Sequence, residues 1–199
     1  MRGVVEAVST LLISGILIGV VGTVYFWGLP LIQKNKDISV LESTEDFMSE
    51  MNDKIKLVAN AGGREQIMFN QPGIVRFDGY SIRVVLDTEG TLYAAEAPVP
   101  LSRNNAALSS GVWGIDQPEI ITVTANHIAE SHYRNTFKLE YIPLVVNSQI
   151  GNKEFLIKLV GTDSIGGQGS NVIISSEGTS DDVFGTTTRV NSNVKIVID

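Results

Sequence analysis

The residues able to do chemistry in this 199-residue chain are few, and their spacing does not gather them. There is no cysteine, which removes thiolate catalysis and cysteine-based metal sites. The two histidines, His127 and His132, lie five apart in "NHIAESH". Neither a helix nor a strand brings residues five apart onto one face, so they read as surface or turn residues, not metal ligands. Asp163, Asp181 and Asp182 follow no regular calcium-ligand spacing and read as solvated turn acids. "SIGGQGSN" (Ser164 to Asn171) is glycine-rich but lacks the lysine of a phosphate loop, and reads as a flexible turn. "DTEG" (Asp87 to Gly90) reads as a turn with no second carboxylate copy, and no serine sits in a nucleophile-elbow pattern. Trp113 in "GVWGID" reads as core-facing or turn-packing, with an exposed adhesive aromatic as the other option. The expectation is a protein without catalytic residues, bound metal or cofactor.

Charge points the same way. The chain has 15 basic and 22 acidic residues, a net charge of −7, and setting aside the first 32 residues removes one of each, Arg2 and Glu6. The remainder is an acidic body with no dense basic run, which argues against nucleic acid as a partner.

The informative stretch is the opening, "MRGVVEAVSTLLISGILIGVVGTVYFWGLPLIQK". Ala7 to Ile32 carries no charge, and as a helix it is about 39 Å long, enough to cross a hydrocarbon core of about 30 Å. A cleaved secretory signal fits less well, since bulky "YFWGLPLIQK" stands where small residues would mark a cleavage site. Tyr25, Phe26 and Trp27 read as an interfacial aromatic belt, and Pro30 is placed to kink the helix or end it just beyond. Gly15, Gly19 and Gly22 supply notches through which helix backbones approach one another. Glu6, at the mouth of the apolar run, either finds a partner or sits among headgroups at the positive end of the helix dipole.

Arg2-Gly3, the apolar pair Val4-Val5, the early acid Glu6, and Ser9-Thr10-Leu11-Leu12 leading into an unbroken apolar helix together resemble the start of archaeal type IV pilins and archaellin-like proteins. The resemblance covers the N-terminal third only. It implies a short leader, residues 1–3, cut by a prepilin peptidase between Gly3 and Val4, with the apolar helix retained as an assembly element. Glu6 would then be the third residue of the processed chain. The implied partners are further copies of the same chain in a helical homopolymer, the peptidase and pilus assembly machinery, and the membrane. The implied location is a single-pass membrane protein that becomes part of an extracellular surface filament, with adhesion among the roles the resemblance implies. The alternative is a membrane-anchored minor pilin or archaellum-associated protein whose outer domain binds the cell-surface layer. Archaeal filaments are often N-glycosylated, yet the chain has no Asn-x-Ser/Thr sequon.

The rest of the chain fits an outer domain. Residues 4–36 form the expected assembly helix. In residues 37–63, Leu41, Met48, Met51, Ile55 and Val58 recur at helical spacing, with Asp37, Ser39 or Ser43 as candidate start caps and "NAGG" (Asn60 to Gly63) as the stop. Residues 64–199 read as β structure. "GIVRFDGYSIRVVLDTEGTLYAAEA" alternates apolar and polar residues around turn signals at Asp78-Gly79 and Glu89-Gly90. Further strands are expected at Glu119 to Ala125, Thr136 to Val146, Glu154 to Leu159, Asn171 to Ser175 and Val194 to Ile198. The expected fold class is α+β: a long apolar helix continuing into an amphipathic one, then an antiparallel β-sandwich-like domain.

Overall fold

The computed structural model describes residues 2–94, 96–102, 108–130, 132–148 and 151–199. It is an α+β protein in which one long N-terminal helix is followed by a β-rich domain of two sheets. Helix α1 runs unbroken from Arg2 to Ala61. Pro30 lies inside it and ends nothing, at the cost of one backbone donor. No second helix start exists either. Ser43 donates instead to the carbonyl of Ser39 at 2.7 Å, as Thr44 does to Val40 at 2.8 Å. Helix α1 stops where Gly62 enters the left-handed region (φ 73°) and its N–H bonds the carbonyl of Val58 at 2.9 Å.

Spacings of three and four make one stripe of the second half of α1: Leu41, Thr44, Met48, Met51, Ile55 and Val58, all almost fully buried. The stripe joins a single core with side chains of both sheets, among them Val172, Ile174, Val194 and Ile196 from one and Phe77, Ile82, Val84, Phe137 and Leu139 from the other. Phe47, beside the stripe, meets Phe69 edge-on with ring centres 5.2 Å apart.

One sheet contains β10 (Ser164–Gly167), β2 (Ile74–Phe77), β3 (Ile82–Thr88), β7 (His132–Tyr141), β6 (Glu119–Ala129) and β4 (Val99–Pro100), in that spatial order. Every neighbouring pair in it is antiparallel. The other contains β1 (Arg64–Met68), β11 (Asn171–Phe184), β12 (Thr187–Ile198), β9 (Gly151–Val160), β8 (Leu144–Ser148) and β5 (Gly111–Val112). This second sheet is mixed and departs from the antiparallel expectation, because β12 runs parallel to β9 and β5 parallel to β8. The cause is a crossover. After β9 the chain leaves for β10 in the first sheet, returns as β11, and the hairpin to β12 sets the last strand beside β9 in the same direction. Gly161 makes the exit possible: at φ 140° a side chain there would sit 2.6 Å from the carbonyl oxygen of Ile196 and 3.2 Å from the Phe77 ring.

Three local readings are corrected. The run Thr136 to Val146 is two strands in different sheets, separated at Ile142-Pro143, where proline has no N–H for a ladder. "SIGGQGSN" is not simply a flexible turn, since Ser164 to Gly167 pair with β2. Gly166 is needed for close approach: a Cβ would lie 2.6 Å from Ile198 Cγ2. Finally, β11 and β12 extend well past the expected stretches, through a bulge between Ser176 and Thr179.

Replacing Met51 by Ala should destabilise the domain by about 2–5 kcal/mol, whereas Leu57→Ala, on the exposed side of the same helix, should change stability by about 0.5 kcal/mol or less. Urea denaturation of the two variants in detergent measures the difference, and equal effects would contradict an inserted helix.

Candidate functional site

The candidate site is the first half of α1. Every residue from Val8 to Trp27 is exposed, including Leu11 (75%), Phe26 (81%) and Trp27 (80%). This segment is long and apolar enough to cross a membrane. Thr23 spends its hydroxyl within the helix, donating to the carbonyl of Gly19 at 2.8 Å. Gly15, Gly19 and Gly22 are open notches, since a Cβ on any of them would meet no atom within 4 Å. Gly22 lines a shallow hollow with Leu17, Ile18, Val21 and Tyr25. The chemistry available here is packing against lipid or against another apolar helix.

The second half of α1 holds this segment rigidly to the head through a row of polar contacts. Asp37, 6% exposed, accepts from the backbone N–H of Glu89 at 2.9 Å and from Gln33 Nε2 at 3.1 Å. Glu45 accepts from Tyr93 Oη at 2.5 Å, Asn52 from Tyr141 Oη at 2.9 Å, and Lys56 Nζ donates to Glu119 at 3.2 Å. At about 100° per residue, positions 37, 45, 52 and 56 spread over roughly 100° of one side of α1, and they meet residues at the ends of β6 and β7 and in the loop after β3. In the sequence Asp37 is one of three candidate start caps, with Ser39 and Ser43, and nothing local marks the contacts of Glu45, Asn52 and Lys56. Each partner lies 48 to 89 residues away from its helical group.

The remaining candidate residues are scattered. Gly3, Val4 and Glu6 lie on α1, with their side chains outside what the structure describes. His127 packs edge-on against Tyr133 with ring centres 5.3 Å apart, while His132 Nδ1 lies 2.9 Å from the carbonyl of Glu130. Asp182 accepts from Asn191 Nδ2 at 2.8 Å within the β11–β12 hairpin, and Asp87 pairs with Arg134 Nε at 2.9 Å. Trp113 is half exposed and lies against Phe155, ring centres 4.5 Å apart. Among the described residues, no group of three or more histidines or acids could hold a metal ion.

Comparison with protein-family models, curated proteins and solved structures returned no match.

Two of the contacts to α1 carry a pH dependence. Burial, followed by the bond to Glu45, pushes the Tyr93 hydroxyl well above its ordinary pKa of 10.0. Burial, followed by the charges of Glu119 and Asp53, does the same to Tyr141. Because the folded values are raised, the stabilisation is complete below the unfolded value of about 10 and is lost as pH rises above it. The urea midpoint should therefore fall between pH 9 and pH 11, and a Tyr93→Phe/Tyr141→Phe variant should lose less over the same interval.

Proposed function

We propose that this chain is a non-enzymatic structural subunit of an archaeal type IV pilus-like surface filament. The observation that carries the reading is the division of one unbroken helix into an apolar half exposed on every side and a half embedded in the core of a two-sheet head. The head is read as a sandwich-like outer domain. The opening residues Arg2 to Leu12 support the same assignment through their resemblance to pilins and archaellin-like proteins.

In this reading the exposed half is stored in the bilayer before assembly, after a prepilin peptidase cuts between Gly3 and Val4. It then moves laterally into a bundle of like helices. Lipid is already apolar, so burial at about 25 cal/mol per Å² of area removed from water does not drive that step. Direction comes from shape, and Gly15, Gly19 and Gly22 provide the openings into which a neighbouring helix fits. The head stays outside and is carried rigidly, since its core includes the continuation of the same helix.

A second reading, a membrane-anchored minor pilin or archaellum-associated protein gripping the cell-surface layer, is favoured by the exposed apolar pair Trp113 and Ile115 on the head. Self-crosslinking separates the two, because a polymer gives a ladder of copies joined through the helix and an anchor does not.

Two experiments test the primary reading. Gly15→Leu/Gly19→Leu should abolish filaments while the head keeps its wild-type denaturation midpoint, and wild-type filament yield from that variant would refute helix-to-helix packing at the notches. Intact-mass analysis of native membranes and of the sheared surface fraction should find chains beginning at Val4, enriched in the sheared material. Chains that keep Met1 and stay in the membrane would point to the anchored alternative.

A further inference from the structure

Strand register locates the end of the head that lies nearest the apolar half of α1. Strand β7 runs alongside α1 in the same direction: Tyr133, near its start, shares a hollow with Pro30 and Lys34, while Tyr141, at its end, bonds Asn52 at 2.9 Å. The lengths agree, since Tyr133 to Tyr141 spans about 27 Å of strand and the Pro30 to Lys34 turn lies about 30 Å of helix from Asn52. The chain just before Tyr133 therefore projects toward the apolar half of the helix. That chain is the β6–β7 hairpin, in which His127 pairs with Tyr133 and Ala129 with His132. Its tip extends about 6 Å past Tyr133, the rise of about four helical residues, which sets it level with Phe26 to Pro30.

This is the depth of the aromatic belt at the downstream end of the uncharged run, and the hairpin presents apolar groups there. A bulge between His127 and Ala129 takes Ile128 out of the ladder alternation and leaves it 45% exposed. Leu92, 50% exposed, directly follows Thr91, which lines the same hollow as Pro30 and Tyr133. Lys34 and Glu89 both line that hollow and offset one another's charge, so it has no net charge to attract anionic lipid.

We propose that the tip of the β6–β7 hairpin, through Ile128 and with Leu92 beside it, seats in the interfacial layer of a bilayer spanned by α1. This rests on the reading of the exposed half of α1 as stored in the membrane before assembly. The partner is the headgroup and upper acyl region of zwitterionic lipid, which accepts apolar side chains and the amphipathic ring of Tyr133. A single spanning helix is free to tilt and rotate in lipid. A second contact on the rigidly attached head fixes both, so each stored copy holds its glycine notches at one angle to the membrane plane.

The chain has no cysteine, so a single introduced one can be labelled. The full chain carrying Ala129→Cys, at the exposed tip, is labelled with a nitrobenzoxadiazole dye and reconstituted in phosphatidylcholine vesicles that contain a headgroup-nitroxide lipid. The expected result is about twofold quenching with blue-shifted emission, as for a group held in the interfacial layer. The same dye on Tyr80→Cys should be unaffected, because the β2–β3 turn lies at the opposite end of the head, where Ile82 pairs with Leu139. Adding Ile128→Ser and Leu92→Ser to the Ala129→Cys chain should reduce its quenching to the Tyr80 level. A dye on Leu17→Cys, measured with a nitroxide deep in the acyl chains, reports the span itself. Quenching at Leu17 without quenching at Ala129 would overturn the hairpin contact and leave the span standing. Equal quenching at Ala129 and Tyr80, or undiminished quenching in the double-serine chain, would overturn it as well. Absence of quenching at Leu17 would remove the membrane reading and the hairpin contact together.

Discussion

Everything in this protein depends on the burial of one helical stripe, Leu41 to Val58, in a core shared with both sheets. Two sheets of six strands each have inner faces to cover, and the helix contributes side chains that meet both. The same rod continues into the exposed apolar half, so the stripe that completes the core also sets the direction in which that half leaves the head. A hinge between the halves would uncouple them. Pro30 is the natural place for one, yet α1 passes through it without interruption and is then held by Gln33, Asp37 and the backbone of Glu89.

The contacts between helix and head divide their labour by chemistry. The apolar stripe supplies most of the free energy of docking, because it removes Leu, Met, Ile and Val side chains from water. The polar line of Asp37, Glu45, Asn52 and Lys56 fixes rotation and height, because directional bonds to Glu89, Tyr93, Tyr141 and Glu119 are lost if the helix slides by a residue. Both are required for an exposed helix to present a defined face with its glycines in a reproducible position.

Much of this was legible in the sequence, for identifiable reasons. The uncharged run from Ala7 to Ile32 and the three-four spacing from Leu41 to Val58 are local signals of helix, and both lie on the one helix α1, without the separate start expected near Asp37. The strands of β-branched residues around Ile82 to Thr88 and Glu119 to Ala129 announce themselves by alternation. What failed to show was non-local or polar. Thr179 to Phe184 and Thr187 to Asn193 look like loop, and they become strand because Asn191, Asn193 and Ser180 bond across the hairpin and Arg189 reaches Glu154 on β9. The parallel pairing of β12 with β9 is invisible in either strand's composition, since direction is decided by the crossover between them. Asp37 was recognisable as a buried-helix oddity only through a partner 52 positions away. Of the candidate site, the apolar helix and its glycines could be read directly, and the contacts of Asp37, Glu45, Asn52 and Lys56 that hold that helix to the head could not, because each partner lies 48 to 89 positions away.

The central position of β12 has a consequence for how the molecule is made. The last strand of the chain lies between β11 and β9, and until residues 187–198 are in place both neighbours present open edges and the core lacks Val194, Ile196 and Ile198. Its partners on β9 lie 35 positions away and those on β11 lie across a hairpin, against 103 to 111 positions between β1 and β11, so the non-local pairing of this sheet, the kind that slows folding, sits at β1 and not at its centre.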